Sequence, residues 1–354
     1  MKKKTKIFSL MLMFGVFGLL FNACEKDESF DAEDARTELI KAGDEIEMNM
    51  FMMMGTPQME SVMFLMGLAD MDFDFDLKSS VQSFSKDPAR IASPGLNQIV
   101  ELSRTVSAGK EMNGFEDGVW HYNFDTGYFE LVAEATYIEL HFPANQEAYA
   151  AQVLNAILRI DNLDIGMVVI DDYPEEVPTS ADVTLHIDNQ LVLSLEYRMT
   201  VGPDMFPVSV SLDLQMHPYS MNMTFGGSGI DYWVKMSMAH DGSTLLDIDL
   251  DLRFTADMDD VVRASGKVQL TPLEFSGSIE PMAMEDCYDA IDEVSCLNNH
   301  IDVELWHTGE NKKIGDLGFR MYHDGYPELV IVYDDGTYDF LADLFDFDED
   351  DLVF

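Results

Sequence analysis

Basic side chains are scarce in this chain. Its 354 residues carry 21 lysines and arginines against 66 aspartates and glutamates, a net charge of −45. Recognition of a nucleic-acid backbone needs a basic surface, so that class of partner is excluded. The same imbalance disfavours a broad electrostatic contact with anionic headgroups. Cysteine is nearly absent, with Cys24, Cys287 and Cys296 alone. Tryptophan occurs three times. The spacings that announce common chemistries are also missing. No pair of histidines has the helical spacing of a zinc protease, and no Gly-x-Ser-x-Gly turn presents a nucleophile. The glycine-rich run Phe225-Gly226-Gly227-Ser228-Gly229 lacks the lysine of a phosphate loop and reads as a flexible turn between strands. The EF-hand spacing with its central glycine is absent as well.

The long apolar run is confined to the front. Lys2, Lys3, Lys4 and Lys6 form a basic head, Ile7 to Phe21 is apolar, and Asn22-Ala23 leads into Cys24. A run of about fifteen residues with these flanks is a secretory signal, too short to span a bilayer. Acylation at Cys24 would let the mature chain be held by lipid rather than by a helix. An ordinary signal cut nearby is the alternative. Removing residues 1–23 leaves 331 residues with 17 basic and 66 acidic side chains, a net charge of −49.

Phe21-Asn22-Ala23-Cys24 resembles a bacterial lipobox, with Phe21 in place of the usual leucine and Asn22 in place of the usual small residue. Glu25-Lys26-Asp27-Glu28 resembles the acidic export signal that follows the lipidated cysteine in surface lipoproteins of the Bacteroidota. The resemblance implies a diacylglycerol and a further acyl chain, such as palmitate, on Cys24. It also implies attachment to outer-membrane lipid and display on the cell surface. Beyond these thirty or so residues the chain is only broadly similar to large uncharacterised lipoproteins of the same bacteria.

Hydrophobic residues make up 47% of the chain, so the acidity does not signify disorder. Methionine is abundant at 25 residues and reads first as a filler of irregular core gaps, second as the lining of a ligand groove. Residues 24–31 are a polar tether. Ala35, Leu39, Ala42, Ile46, Met50 and Met53 then recur at steps of three and four, which predicts a helix ended by Gly55-Thr56-Pro57. Met59, Val62, Met63 and Met66 predict a second, short one. Asp70, Asp72, Asp74 and Asp76 alternate with Met71, Phe73 and Phe75 as an extended segment. Same-side carboxylates there stand roughly 6.6 Å apart, too far to converge on calcium without bending. A third helix is expected around Leu96–Leu102.

Strand periodicity begins at Gly118. Phe129 to Tyr137 and Ile138 to Phe142 run on opposite parities, reconciled by a bulge near Tyr137. Ala144 to Ile160 reads as a helix burying Tyr149, Val153 and Ile157. Pro174 and Pro178 mark a loop and a boundary near residue 175. Beyond it Val183–Ile187, Leu191–Val201, Val208–Met216, Tyr232–Met238, Leu246–Phe254 and Val262–Leu270 alternate with period two around short turns. That spacing leaves no room for parallel crossovers, so the strands form an antiparallel meander. A later hairpin, Ile301–Leu305 with Leu317–Met321, repeats the form, and Leu329, Ile331 and Tyr333 add a strand. The fold class is α+β: a large curved antiparallel β-meander packed against N-terminal helices. The expected organisation is a signal peptide over 1–23, a tether over 24–31, a helical and mixed region over 32–175 and a β-rich region over 176–354. The last two form one folding unit. The acidic tail from Asp343 is expected to fray.

Cys287 and Cys296 are left as a pair in an oxidising compartment and are expected to form a disulfide. On one helix their α-carbons would lie about 13.5 Å apart, whereas a bridge needs roughly 7 Å or less. The residues between must therefore turn back, after a break from the sheet at Gly277 and Pro281. His300 and His307 could approach the two sulfurs, but the spacing is unlike a zinc motif and no metal or cofactor is expected. His186 and His217 read as strand-end residues, and His240 and His323 each precede an aspartate in a turn. The Asp247, Asp249 and Asp251 row reads as a solvent face. No catalytic residue is identified. The expected function is that of a cell-envelope lipoprotein with a non-catalytic binding or structural role. Its partner is named only by class: an apolar small molecule in one reading, a glycan or protein in another. A glycoside hydrolase or other secreted enzyme remains a further alternative, because so many carboxylates offer many pairs.

Overall fold

The period-two alternation of apolar residues builds one sheet of sixteen strands. The structure is a computed structural model, and it describes residues 29–68, 117–170, 173–203, 205, 207–256, 260–322 and 325–344. The expected extended segment at 70–76, the helix at 96–102, His323 and most of the acidic tail lie outside these residues.

Among the described residues, two N-terminal helices precede the sheet. Helix α1 (Ala32–Met54) starts where the Asp31 carboxylate accepts from the backbone N–H of Glu33 and Asp34, at 3.1 and 3.0 Å. Ala35, Leu39 and Ala42 are fully buried along one stripe, as their spacing predicts. Helix α2 (Pro57–Leu68) begins with proline at a position where no N–H is needed. Its buried residues are Ser61 and Leu65, while Met63 is 44% exposed. Met59 and Val62 on the same helix are half-buried.

The strands follow in order: β1 (Gly118–Asn123), β2 (Tyr128–Ala133), β3 (Ile138–Phe142), β4 (Ala156–Ile170), β5 (Tyr173–Ile187), β6 (Gln190–Val201), β7 (Pro207–Met216) and β8 (Tyr219–Ser228). Then come β9 (Asp231–His240), β10 (Ser243–Phe254), β11 (Val261–Leu270), β12 (Leu273–Ile279), β13 (Ile301–His307), β14 (Lys312–Met321), β15 (Pro327–Val332) and β16 (Tyr338–Phe340). From β3 to β16 each strand lies beside its sequence neighbours, an antiparallel meander in which two-residue turns suffice. The exception is β1, which pairs antiparallel with β2 and parallel with β3. Short helices α3 (Gln146–Ala150), α4 (Pro281–Asp286), α5 (Glu293–Asn298) and α6 (Leu341–Leu344) interrupt the series.

The chain forms two compact units. One comprises residues 1–49, 227–237 and 244–354; the other comprises 50–226 and 238–243. In the first, Ile248, Leu250, Leu252 and Phe254 of β10 are buried together with Leu273 and Phe275 of β12 and Val303 and Leu305 of β13. In the second, the buried row includes Leu140, Phe142, Leu158, Leu185 and Tyr197.

Several expectations are corrected. Ala144–Ile160 is not one helix. Only Gln146–Ala150 is helical, and Ala156, Leu158 and Ile160 alternate inward on a strand, leaving Val153 49% exposed. The two prolines do not open a loop, because β5 runs through both. Pro178 is tolerated where the β4–β5 register shifts beside Ile165, and Pro174 is the second residue of the strand. The parity switch near Tyr137 is a break between β2 and β3 rather than a bulge within one strand. Phe225-Gly226-Gly227-Ser228 completes β8, and Gly229 begins the turn. Gly277 is the middle of β12, so the departure from the sheet comes only at Glu280-Pro281. Methionine among the described residues is divided between core and surface, with Met199 packed against Val168 and Val177. Met216, Met223 and Met284 are buried, whereas Met48, Met52, Met63, Met167, Met205, Met282 and Met321 are more than 40% exposed.

Candidate functional site

Strand ends in the second unit gather around an open cleft of about 400 Å³. Leu191 to Ser194 at the start of β6 form one wall. Gln215 at the end of β7 and the His217-Pro218 turn form another, with Tyr219 and Ser220 opening β8. Asp241 and Gly242 close it from the β9–β10 turn. The turns are built from residues suited to left-handed backbone: Asp188 and Asn189 have φ of 51° and 64°, and Asp241 and Gly242 have 48° and 78°. Two such turns bring segments some fifty positions apart to one end of the sheet.

The cleft is held from below and beside. Asp241 N–H donates to the Pro218 carbonyl at 2.8 Å. The His240 ring lies 4.8 Å from that of Tyr219, and Tyr219 is only 5% exposed. Burial, then the negative charge of Asp241, raises the Tyr219 phenol above its usual range. From α2, Gln58 Nε2 donates to the His217 carbonyl at 2.9 Å. Leu191 is 58% exposed, a large apolar group at the rim. The lining is therefore mixed: leucine, valine and proline beside serine, glutamine, histidine and aspartate. Although serine, histidine and aspartate all line it, no hydrogen bond among the described residues joins the His217 ring to Ser194, Ser220 or Asp241. The arrangement can hold a ligand with an apolar body and a polar end. It presents no serine already paired with a base.

A second polar constellation lies on the other face of β1, β3 and β4. His121 and His141 are register partners, with ring centroids 4.3 Å apart. His141 Nε2 is 2.7 Å from Glu139 Oε1. Arg159 makes a bidentate pair with Asp161 at 2.7 and 2.9 Å and lies 3.7 Å over the Tyr137 ring. Burial, then the neighbouring His141, lowers the His121 pKa and favours its neutral form. Every charged member here already has a partner, which is how a half-buried sheet face accommodates charge.

Cys287 and Cys296 form a disulfide with α-carbons 5.5 Å apart. The chain turns back as its length requires, through α4, a 3₁₀ turn at Cys287–Asp289, and α5. Asn298 pins α5 to β14 by donating to the Phe319 carbonyl at 3.1 Å and accepting its N–H at 2.7 Å. His300 does approach the sulfurs, within 4.8 Å, and its Nδ1 is 2.9 Å from Glu280 Oε2. His307 does not join them; it pairs with Glu38 at 3.5 Å. With both sulfurs in the bridge, thiolate ligation would require reduction first.

Cys24 and the Glu25, Lys26, Asp27 and Glu28 stretch lie outside the described residues. Asp247, Asp249 and Asp251 point away from the buried row of β10. Lys267 lies near the first, and Lys235 pairs with the second at 2.8 Å. Sequence reasoning placed His217 and His240 in or beside turns but missed the cleft. Nothing local announces it, because its walls come from three separate turns. No helix among the described residues is long and apolar enough to cross a membrane. Compared with family models, curated proteins and solved structures, the chain matches none.

Proposed function

We propose that this chain is a cell-envelope lipoprotein, tethered to outer-membrane lipid through an acylated Cys24, whose role is non-catalytic binding. The front end supports the anchor: a basic head, an apolar run of about fifteen residues and Ala23-Cys24. The observation that carries the binding reading is the cleft at the β5–β6, β7–β8 and β9–β10 turns. It is concave and mixed in lining, and its histidine ring is unpaired with either serine. Pockets of roughly this size accept a small molecule when a few polar groups orient it. The exposed Leu191 beside Val192 and Pro218 favours an apolar body on that ligand.

Native mass spectrometry of protein released in detergent from the membranes of its own cells tests both halves. The expected species carries acyl mass on Cys24 and a bound small amphipathic molecule, and Leu191→Asp lowers the bound fraction at least fivefold. A saccharide in the cleft would move the reading to surface glycan recognition. A Cys24→Ser chain that still sediments with membranes, with no acyl mass, would remove the anchor.

A further inference from the structure

The tether fixes which end of the first unit can meet the membrane. Phe30 is the point where the chain leaves the tether and becomes bound to the fold. Its N–H donates to the Lys313 carbonyl at 3.1 Å, its ring lies 5.9 Å from that of His307, and Lys312 Nζ stands 5.0 Å above it. Helix α1 is then clamped to the same end of the sheet. His307 Nδ1 accepts the Glu310 N–H at 3.2 Å, which leaves Nε2 to face Glu38 at 3.5 Å. Arg36 holds Asp339, the middle residue of β16, with two bonds of 2.7 and 2.8 Å. Phe30 is therefore fixed at the start of β14 by backbone and side-chain contacts together.

Only six peptide steps separate Cys24 from Phe30. Six steps of chain span at most about 20–22 Å. Strand β14 runs from Lys312 to Met321, nine steps or about 30 Å at the usual strand rise. The lipid on Cys24 can thus lie beside the β13–β14 turn (Thr308–Asn311), whereas the other end of β14 is a full strand length farther away. Thr308 also donates to the Pro272 carbonyl at 2.8 Å, which places the β11–β12 turn at the same end. Two of the chain's few lysines sit at this end, each paired with carboxylates, so the local charge is close to balanced. Lys312 lies 3.4 Å from Glu310, and Lys313 pairs at 2.8 Å with both Glu304 and Asp316.

We propose that the β13–β14 turn end of this unit is its membrane-facing surface, seated against lipid headgroups. The proposal rests on acylation of Cys24. Its test uses the full acylated chain in phosphatidylethanolamine–phosphatidylglycerol vesicles containing a headgroup nitroxide lipid. A maleimide fluorophore is placed at Glu310→Cys, at Asp316→Cys or at Met321→Cys without reductant, which leaves the disulfide intact. Quenching is expected to fall in that order, with position 310 at least threefold more quenched than 321. Equal quenching at 310 and 321, or stronger quenching at 321, in protein that floats with the vesicles and melts like the parent, overturns the orientation alone. A chain whose Cys24 carries no acyl mass overturns the orientation and the anchor together, and intact mass separates the two failures.

Discussion

Arg36 and Asp339 stand 303 positions apart in sequence, yet they form a two-point ion pair that Tyr333 completes by donating its hydroxyl to Asp339 at 2.7 Å. Burial alone would raise the Asp339 pKa. The hydrogen bonds from Arg36 and Tyr333 outweigh it and hold the carboxyl below its usual value. A carboxylate whose pKa is depressed on folding stabilises the fold fully above its unfolded pKa, about 3.9, and loses that contribution as pH falls through the folded value. Arg36 is 44% exposed, so solvent screens the pair and its worth is about 0.5–1 kcal/mol. Asp339→Asn is therefore expected to lower stability by about that amount at pH 7 and by almost nothing near pH 2. Urea midpoints at the two pH values check this, and an equal loss at both would show that packing, not charge, is at stake. Neither partner could be found from sequence. Arg36 lies off the apolar stripe of α1 as one polar position among many, and Asp339 is one acid among 66.

At the scale of elements, legibility followed the cleanness of one-sided alternation. Strands β6, β7, β9, β10, β11 and β13 were readable because leucine, isoleucine, valine and tyrosine fall on one parity with polar residues between. Strand β4 was misread because Tyr149, Val153 and Ile157 happen to recur at steps of four across a boundary between a one-turn helix and a strand. The first part of β5 was hidden by its prolines, though Val183–Ile187 was readable, and β8 and β12 were hidden by glycines that looked like punctuation. In β12 the glycine has a steric reason to be there. Gly277 has φ of 151°, a region other residues avoid, and a β-carbon added to it would collide with the Asp302 carbonyl oxygen on β13. It lies opposite Gly266 of β11, where a side chain would likewise meet the backbone of Asp249 and Leu250. The two adjacent strands thus draw close to their outer neighbours. Gly277→Ala should cost about 2–4 kcal/mol, from backbone strain and overlap together. Gly242→Ala, at a turn with nothing within 4 Å, meets only the backbone penalty of its positive φ and should cost less. Chemical denaturation of the two variants orders them, and the reverse order would refute the steric account.

At the scale of the whole chain, the composition of the two units matters more than their number. Each is assembled from separated stretches, and β9 contributes residues to both. A meander still has to satisfy the hydrogen-bonding groups of every strand it contains, and removing a neighbour turns an interior strand into an edge. A fragment beginning at residue 180 shows the consequence. It keeps Ser180 to Ile187 of β5 but loses all of β4, whose pairing with β5 runs from Ala156↔Ile187 to Ile170↔Tyr173. It also loses α1, so the Asp339 carboxylate loses Arg36 and the buried His307 loses Glu38. Leu185, fully buried in the intact chain, and Val183, 1% exposed, would lie on an edge strand lacking its partner. Stability of a domain is a small difference between large terms, so losing a ladder and a helix is not a local event. Limited proteolysis should therefore attack the chain termini before it releases any stable piece from the interior. The purified 180–354 fragment should show no cooperative melt near that of the full chain. A fragment that melts sharply at the parent temperature would mean that the β-rich half carries its own complete core and that α1 and β4 add nothing to it.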